Sequence, residues 1–274
     1  MKPSNAASSP PSPPAPWGVF WGQADLKPHR SRYWLTPKPA DPTDFADQVA
    51  TVCDVYAAAP LLEATGTRVF STDEMTGVQA LERAAPTLPL QPGRVERREF
   101  EYVRHGTLSL IANFQVAAGR VVGPSVGPTR TEADFAAHIA RTIDCDPAAG
   151  YIFIVDQLNT HQSESLVRLV AEQCGIADDL GAKGERGILQ SMVTRAAFLS
   201  DPSHRIQFVY LPTHTSWLNQ VEIWFSILAR RVLKRGNFRS TDELKARILA
   251  FIEYFNRTLA KAFRWTYAGR PLVA

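Results

Sequence analysis

Several features that often decide a protein's class are scarce in this chain of 274 residues. Its only cysteines are Cys53, Cys145 and Cys174, and no two of them form a Cys-x-x-Cys pair. Neither a disulfide framework nor a zinc-cysteine site is therefore supported. No apolar stretch reaches the roughly 18 residues that a membrane helix requires, and the N-terminal residues do not form an apolar signal core. We therefore expect a cytoplasmic protein with no membrane partner.

A large excess of one charge is also missing. The chain carries 30 Lys and Arg against 27 Asp and Glu, which gives a net charge of +3 and a pI near 8.8. Such a mildly basic balance permits nucleic-acid binding without demonstrating it. Hydrophobic residues make up 45% of the chain and charged residues 21%, as in ordinary soluble globular proteins. The length suffices for one substantial domain and a smaller appendage.

Composition and periodicity divide the chain into three parts. Residues 1–16 are rich in Pro, Ser and Ala, which predicts a disordered tail because little in them can be buried. Residues 17–66 form a lead-in segment with one predicted helix from Thr43 to Ala59. Residues 67–274 form the predicted main domain, and residues 175–204, which contain several glycines, are predicted to be an inserted loop with a short helix near 188–199.

The pattern within the main domain predicts an α/β fold. Three strands come first, and strands then alternate with helices, which predicts a mixed five-stranded sheet flanked by helices. The run Tyr151 to Val155 is continuously apolar and is typical of a central strand buried on both faces. The insertion lies between the fourth and fifth strands. The predicted strands are 68–72, 107–116, 120–126, 151–155 and 205–210, and the predicted helices are 131–143, 163–174, 216–232 and 241–256.

Three acidic residues stand at informative places in this pattern. Asp73 and Asp156 each close a strand rich in β-branched and aromatic residues, and Glu222 lies one turn into a predicted helix. On that helix Thr215, Asn219, Glu222 and Ser226 are expected to share a polar face. Carboxylates on separate elements can hold two divalent metals, which suits phosphodiester chemistry. The alternative is that the aspartates cap turns or helices and that Glu222 is a solvated helix residue.

Four strings of residues carry a resemblance to a known family. They are Ser71 to Gly77, Val155-Asp156-Gln157-Leu158-Asn159-Thr160-His161, Ser216 to Phe225, and Phe263-Arg264-Trp265-Thr266. Together they resemble bacterial insertion-sequence transposases related to the Tc1/mariner group, over about residues 24–274. The most specific string is Trp-Leu-Asn-Gln-Val-Glu, which ends at Glu222.

The resemblance implies a catalytic domain of the ribonuclease H type. Its Asp-Asp-Glu triad would be Asp73, Asp156 and Glu222, which would bind two Mg²⁺ or Mn²⁺ ions. Adjacent strand residues face opposite ways, so only one of Asp73 and Glu74 can point into the site, and we prefer Asp73. Two details depart from the family pattern. Gln157 stands where relatives often have Asn, and the 65 residues between Asp156 and Glu222 are more than expected, with the surplus at 175–204.

Other polar residues flank the three acids. They could orient a carboxylate or contact phosphate, or they could instead make ordinary loop contacts; these residues are Asn159, His161, His214 and Asn219. A basic stripe follows the helix that carries Glu222, with Phe238 interleaved. It could neutralise DNA phosphates, or it could be a solvated helix C-terminus. The stripe consists of Arg230, Arg231, Lys234, Arg235 and Arg239.

The leading functional hypothesis is a transposase catalytic domain that nicks element ends and transfers the strands into target DNA. The resemblance implies a homodimer on DNA in the bacterial cytoplasm, associated with the nucleoid when bound. Helix-turn-helix modules that precede the catalytic domain in this family are largely missing here, so we expect a truncated or decayed copy. The alternatives are a catalytically silent DNA-binding or dimerising remnant and a ribonuclease H-like nuclease with another substrate.

Overall fold

A mixed sheet of five strands organises the part of the chain that the structure, a computed structural model, describes, which is residues 41–267. The predicted tail 1–16 and residues 17–40 of the predicted lead-in segment lie outside the described residues. In spatial order the strands are β3-β2-β1-β4-β5. The first three strands pair antiparallel, and β4 and β5 continue the sheet in parallel with β1. Their bounds are β1 (Thr67–Arg83), β2 (Tyr102–Gln115), β3 (Arg120–Gly127), β4 (Gly150–Val155) and β5 (Ile206–Tyr210).

Helices cover both faces of this sheet, which confirms the predicted fold class. The second, third and fourth helices pack on one face, where Tyr151 and Phe153 point. The first, fifth and sixth helices lie on the other face, where Ile152 and Ile154 point. The central strand is thus apolar on both sides because both sides are buried. The helices are α1 (Pro42–Ala64), α2 (Glu132–Asp144), α3 (Glu164–Cys174), α4 (Met192–Leu199), α5 (Gln220–Leu228) and α6 (Thr241–Thr258).

The first strand is longer than predicted. The prediction ended it at Asp73, whereas β1 continues to Arg83 because β2 supplies pairing partners along that whole length. A bulge interrupts the ladder between Met75 and Val78. The parallel partner β4 stops pairing at Ser71. Asp73 therefore does not close the strand but lies where the parallel half of the sheet ends.

The start of α5 also differs from the prediction. A short 3-10 turn (Ser216–Leu218) precedes the helix, which begins only at Gln220. The expected polar face is wrong, because Thr215 and Asn219 are buried while Glu222 and Ser226 are exposed. Residues that precede a helix do not follow its 3.6-residue period.

The segment 175–204 forms a loop that contains α4. Leu189 and Leu199 are fully buried beside α3 and β5, so the segment contributes to the core. The predicted short helix is confirmed, but it begins at Met192 because Ser191 and Thr194 form a capping box. The domain boundaries themselves stay a prediction. Within residues 41–267 no helix has the length and apolarity needed to span a bilayer.

Candidate functional site

The three acidic residues lie at one edge of the sheet and on the helix that covers it. Ser71 pairs with Ile154 in the parallel ladder of β1 and β4. Asp73 and Asp156 each follow two residues later, so the ladder leads them to the same edge and the same face. Glu222 is in the first turn of α5. Asp73 is only 8% exposed, the Asp156 side chain is 43% exposed, and Glu222 is exposed.

The charges of these carboxylates act on one another. Burial raises the pKa of Asp73 to about 7, and the charges of Asp156 and Glu222 contribute to this increase. Burial also raises the pKa of Glu222, and Asp156 adds to that shift. The structure thus brings the three groups into electrostatic range, where ionisation of one opposes ionisation of the next.

Asn219 links the helix to Asp73. It occupies the N-cap position of α5, but its side chain does not cap the helix. Instead its Nδ2 donates to Asp73 Oδ2 at 3.0 Å and to the Thr72 carbonyl oxygen at 3.3 Å. The other carboxylate oxygen of Asp73 accepts the backbone N–H of Glu74 at 2.7 Å. Both oxygens of Asp73 are therefore held in place by hydrogen bonds.

Two other residues do the capping that Asn219 does not. Ser71 Oγ accepts the Val221 N–H at 2.8 Å and also bonds to the Asn219 side chain. The Tyr56 hydroxyl, from α1, accepts the Gln220 N–H at 3.3 Å and donates to the carbonyl of Leu218 at 2.9 Å. The free N–H groups at the start of a helix require such acceptors when they are buried. Strand β1 and helix α1 thereby fix the position at which the helix with Glu222 begins.

His161 joins two acidic side chains beneath the site. Its Nδ1 lies 2.7 Å from Asp156 Oδ1, and its Nε2 lies 3.2 Å from Glu74 Oε2. Burial alone would lower the pKa of His161, but its hydrogen bonds with Asp156 and Glu74 raise it to about 10. Burial of Asp156 is likewise outweighed by His161, which holds the pKa of that carboxyl below its usual range. His161 is therefore an imidazolium at neutral pH, and Asp156 is ionised.

Two residues that come later in the chain donate hydrogen bonds to the backbone of the turn that carries His161. The Tyr210 hydroxyl donates to the His161 carbonyl at 2.9 Å. The buried Arg195, on α4, donates from Nε to the Gln162 carbonyl at 2.6 Å and from Nη1 to the Leu189 carbonyl at 3.0 Å. The segment 175–204 thus braces the backbone next to His161.

Not all of the flanking polar residues are drawn into this network. Asn159 and His214 are exposed, and neither side chain hydrogen-bonds to another residue in the range 41–267. His214 has a left-handed backbone (φ 65°), which is uncommon outside glycine. Glu74 faces away from Asp73, as strand alternation requires. Sequence reasoning missed Tyr56, Ser71 and Arg195; only Ser71 had a signal, because it lies two residues before Asp73 on the same strand face.

The residues of the basic stripe are all exposed, on and after a π-helical turn (Ala229–Leu233) that follows α5. Phe238 is buried in the core, so the expectation that it interleaves with the exposed cations is wrong. The stripe is also not free of acids in space, because Arg239 Nε lies 3.4 Å from Glu82 Oε1. Arg235 and Arg239 help to line a groove of about 500 Å³.

The chemistry of the three carboxylates fits hard divalent cations. Mg²⁺ and Mn²⁺ prefer oxygen ligands, and their charge would offset the burial and the repulsion that together raise the pKa of Asp73. Within residues 41–267, however, no group of three or more His, Cys, Asp or Glu side chains is gathered round one point. Glu222, which is exposed and makes no side-chain hydrogen bond to another described residue, is the ligand candidate free to move.

Comparison with known proteins gives a family and a fold. Residues 68–245, more than half of the chain, match the family model described as DDE superfamily endonuclease. No curated protein sequence matches the chain. A solved pre-cleavage Mos1 transpososome matches with a TM-score of 0.51 at 9% identity, covering 86% of this chain and 63% of that chain. At that identity the match shows a shared fold, the ribonuclease H-like fold.

Two further solved structures are similar at lower TM-scores. The Mos1 mariner paired-end complex with Mn matches with a TM-score of 0.49 at 10% identity, covering 86% of this chain and 62% of that chain. The catalytic domain of Mos1 mariner transposase matches with a TM-score of 0.47 at 9% identity, covering 80% of this chain and 85% of that chain. The present chain thus spans about three-fifths of the longer Mos1 chains.

The raised pKa of Asp73 predicts how stability depends on pH. The folded state keeps this proton up to about pH 7, whereas the unfolded state loses it near pH 4. The free energy of unfolding therefore falls as pH rises through that window, by up to about 4 kcal/mol. Asp73→Asn should remove this fall, as measured by urea unfolding from pH 4 to 8 with a chelator present. Asp178→Asn, at an exposed acid in the loop, is the control; parallel parent and Asp73→Asn profiles would contradict the prediction.

Proposed function

The chain belongs to the DDE superfamily endonuclease family, and on that premise we propose that it is the catalytic domain of a DNA transposase. It would nick DNA at the ends of a mobile element and join the freed ends to target DNA. The observation that supports this most is the approach of Asp73, Asp156 and Glu222, which come from three separate elements within the matched residues.

The three carboxylates would hold two Mg²⁺ or Mn²⁺ ions. When bound, such ions lower the pKa of the attacking water or 3′-hydroxyl and neutralise the charge on the departing oxygen. Asp73 is held by Asn219 and by the Glu74 N–H, so its carboxylate is oriented in advance. Asp156 is kept ionised and fixed through one oxygen by His161. Glu222, on an exposed first turn, would complete the set from the side that DNA approaches.

The basic stripe would bind the DNA. Arg230, Arg231, Lys234 and Arg235 are exposed cations beyond the helix that carries Glu222, and exposed cations of this kind neutralise phosphates without regard to sequence. Arg239 would contribute less, because Glu82 already lies beside it. The DNA partners would be the element ends and the target.

We further propose that the protein acts as a homodimer on paired DNA ends in the bacterial cytoplasm, associated with the nucleoid when bound. The loop between β1 and β2 supports this, because it exposes apolar side chains that a second copy could cover. Leu90 is 73% exposed, Val95 81% and Phe100 79%. The dimer and its location stay proposals.

Substitution of the triad tests the proposed activity. Asp156→Asn and Glu222→Gln should each lower metal-dependent nicking of an element-end duplex by about 10³-fold, because each removes a ligand worth several kcal/mol in the transition state. Glu253→Gln, which changes an exposed acid on α6, should nick like the parent.

The outcomes separate the alternatives. Equal nicking by parent and triad variants would remove these acids from the mechanism. Faster cleavage of an RNA–DNA hybrid than of element-end duplex would instead favour a ribonuclease H-like nuclease. Binding without any cleavage by the parent would favour a catalytically silent remnant.

The contacts of His161 generate a separate prediction. A side chain that orients a metal ligand typically changes metal affinity or activity by about 10–100-fold when it is replaced. His161→Gln should raise the Mn²⁺ concentration for half-maximal nicking by that factor and leave DNA affinity unchanged. His105→Gln is the matched control, since His105 pairs with Glu82 away from the triad. An unchanged Mn²⁺ requirement in a variant that melts at the parent temperature would contradict the positioning role.

A further inference from the structure

The string Phe263-Arg264-Trp265-Thr266 is not used by the proposed chemistry, although the sequence singles it out. It lies in a segment, residues 259–267, that follows α6 and crosses the surface of the domain. Phe263 stacks on Phe114 with ring centroids 4.6 Å apart, and Trp265 packs on Tyr56 at 4.8 Å. The two aromatic residues anchor the segment and leave Arg264, between them, exposed.

A glycine allows the same segment to lie close to the turn between β2 and β3. Gly119 has a left-handed backbone (φ +66°), and a Cβ there would lie 2.0 Å from the carbonyl carbon of Lys261. No other residue type fits at this distance without displacing the segment. Lys261 is therefore held at a fixed place on the surface, as Arg264 is.

A groove of about 550 Å³ runs between this segment and the end of the helix that carries Glu222. Its floor is apolar, with Ile227, Phe255 and Phe263 among the lining residues. Four cationic side chains also line it, and none of its lining residues within 41–267 is acidic. In the same range none of the four forms an ion pair with a carboxylate. The four cations are Arg230, Arg231, Lys261 and Arg264.

The position of the groove relative to the triad is set by the helix. Glu222 and Ser226 are exposed at four-residue spacing on α5, and Arg230 is exposed on the π-helical turn that continues it. The six residue-to-residue steps from Glu222 to the end of α5 at Leu228 span about 9 Å at 1.5 Å each, so the groove begins roughly 10 Å beyond Glu222. Along DNA, with about 3.4 Å per base pair, this corresponds to roughly three base pairs.

We propose that this groove binds the sugar-phosphate backbone of the DNA strand that continues from the reacting phosphate, with Lys261 and Arg264 each contacting a phosphate. This inference rests on the proposed function, and it adds two cations that lie far from the basic stripe in sequence. Unpaired cations attract a polyanion, and the apolar floor suits the deoxyribose and base edges between phosphates. The groove would recognise the phosphates of the DNA backbone and not the base sequence.

The salt dependence of DNA binding tests the proposal. Binding to a duplex that extends at least ten base pairs beyond the cleavage point is measured from 50 to 200 mM salt by fluorescence anisotropy. Each lost phosphate contact reduces the slope of log K against log salt by about 0.9, so Lys261→Gln combined with Arg264→Gln should reduce it by about 2. The matched control combines Lys183→Gln with Arg168→Gln, which are exposed cations paired with Glu132 and Glu164 on the opposite side of the sheet. This control should keep the parent slope.

Shortening the duplex tests where Lys261 and Arg264 contact the DNA. On a duplex cut back to within two base pairs of the cleavage point, the difference between parent and the Lys261/Arg264 double variant should vanish. A difference that persists on the short duplex, or an unchanged slope on the long one, overturns the proposal. Tighter binding of polyglutamate than of DNA to the parent overturns it too, in favour of an acidic protein partner.

Different results would contradict the groove proposal and the proposed function. If the parent nicks element-end DNA but the double variant keeps the parent slope, only the groove proposal is wrong. If the parent neither binds nor nicks DNA, the proposed function fails and the groove proposal fails with it. Both double variants change exposed side chains, and melting temperatures equal to that of the parent confirm that each is folded.

Discussion

The parallel pairing of β1 with β4 is the constraint on which the site depends. It sets Ser71 beside Ile154 and so leads Asp73 and Asp156 to the same edge of the sheet. A change of one residue in this register would turn one of the two acids to the other face. Close packing on both sides of β4 opposes such a slip, because it would exchange the aromatic side chains of one core with the isoleucines of the other. The core therefore positions the acids as well as stabilising the fold.

The polar groups around the three acids hold carboxylates whose burial and mutual repulsion are unfavourable. Burial and mutual repulsion disfavour the ionised form of Asp73, yet Asn219 and a backbone N–H orient both of its oxygens. The side chain of Asn219 binds Asp73 and does not cap the helix. Ser71 and Tyr56 accept the N–H groups at the start of the helix in its place. Beneath the site, the ring of His161 contacts the carboxyl groups of both Asp156 and Glu74. Helix α1 and the segment 175–204 thus support the site through Tyr56 and Arg195.

Much of this could be predicted from the sequence, for identifiable reasons. The apolar run 151–155 and the periodicity of the helices follow from local burial, so the mixed five-stranded sheet was predictable. The end of β1 was not, because the strand is extended by pairing with β2, a non-local interaction that short-range patterns do not record. The polar face expected for Thr215 and Asn219 failed because the helix begins only after them. The brace from Arg195 joins residues 33 positions apart through backbone carbonyls, and no sequence pattern marks it.

The central claim is that the carboxylates of Asp73, Asp156 and Glu222 together bind a pair of divalent metal ions. A crystal structure of the protein soaked in Mn²⁺, with anomalous diffraction data, tests it most directly. We expect two anomalous peaks about 4 Å apart, each within bonding distance of at least one of these carboxylates, with Glu222 turned toward the other two. Peaks only at other acids, or none next to Asp73 at saturating Mn²⁺, would contradict it.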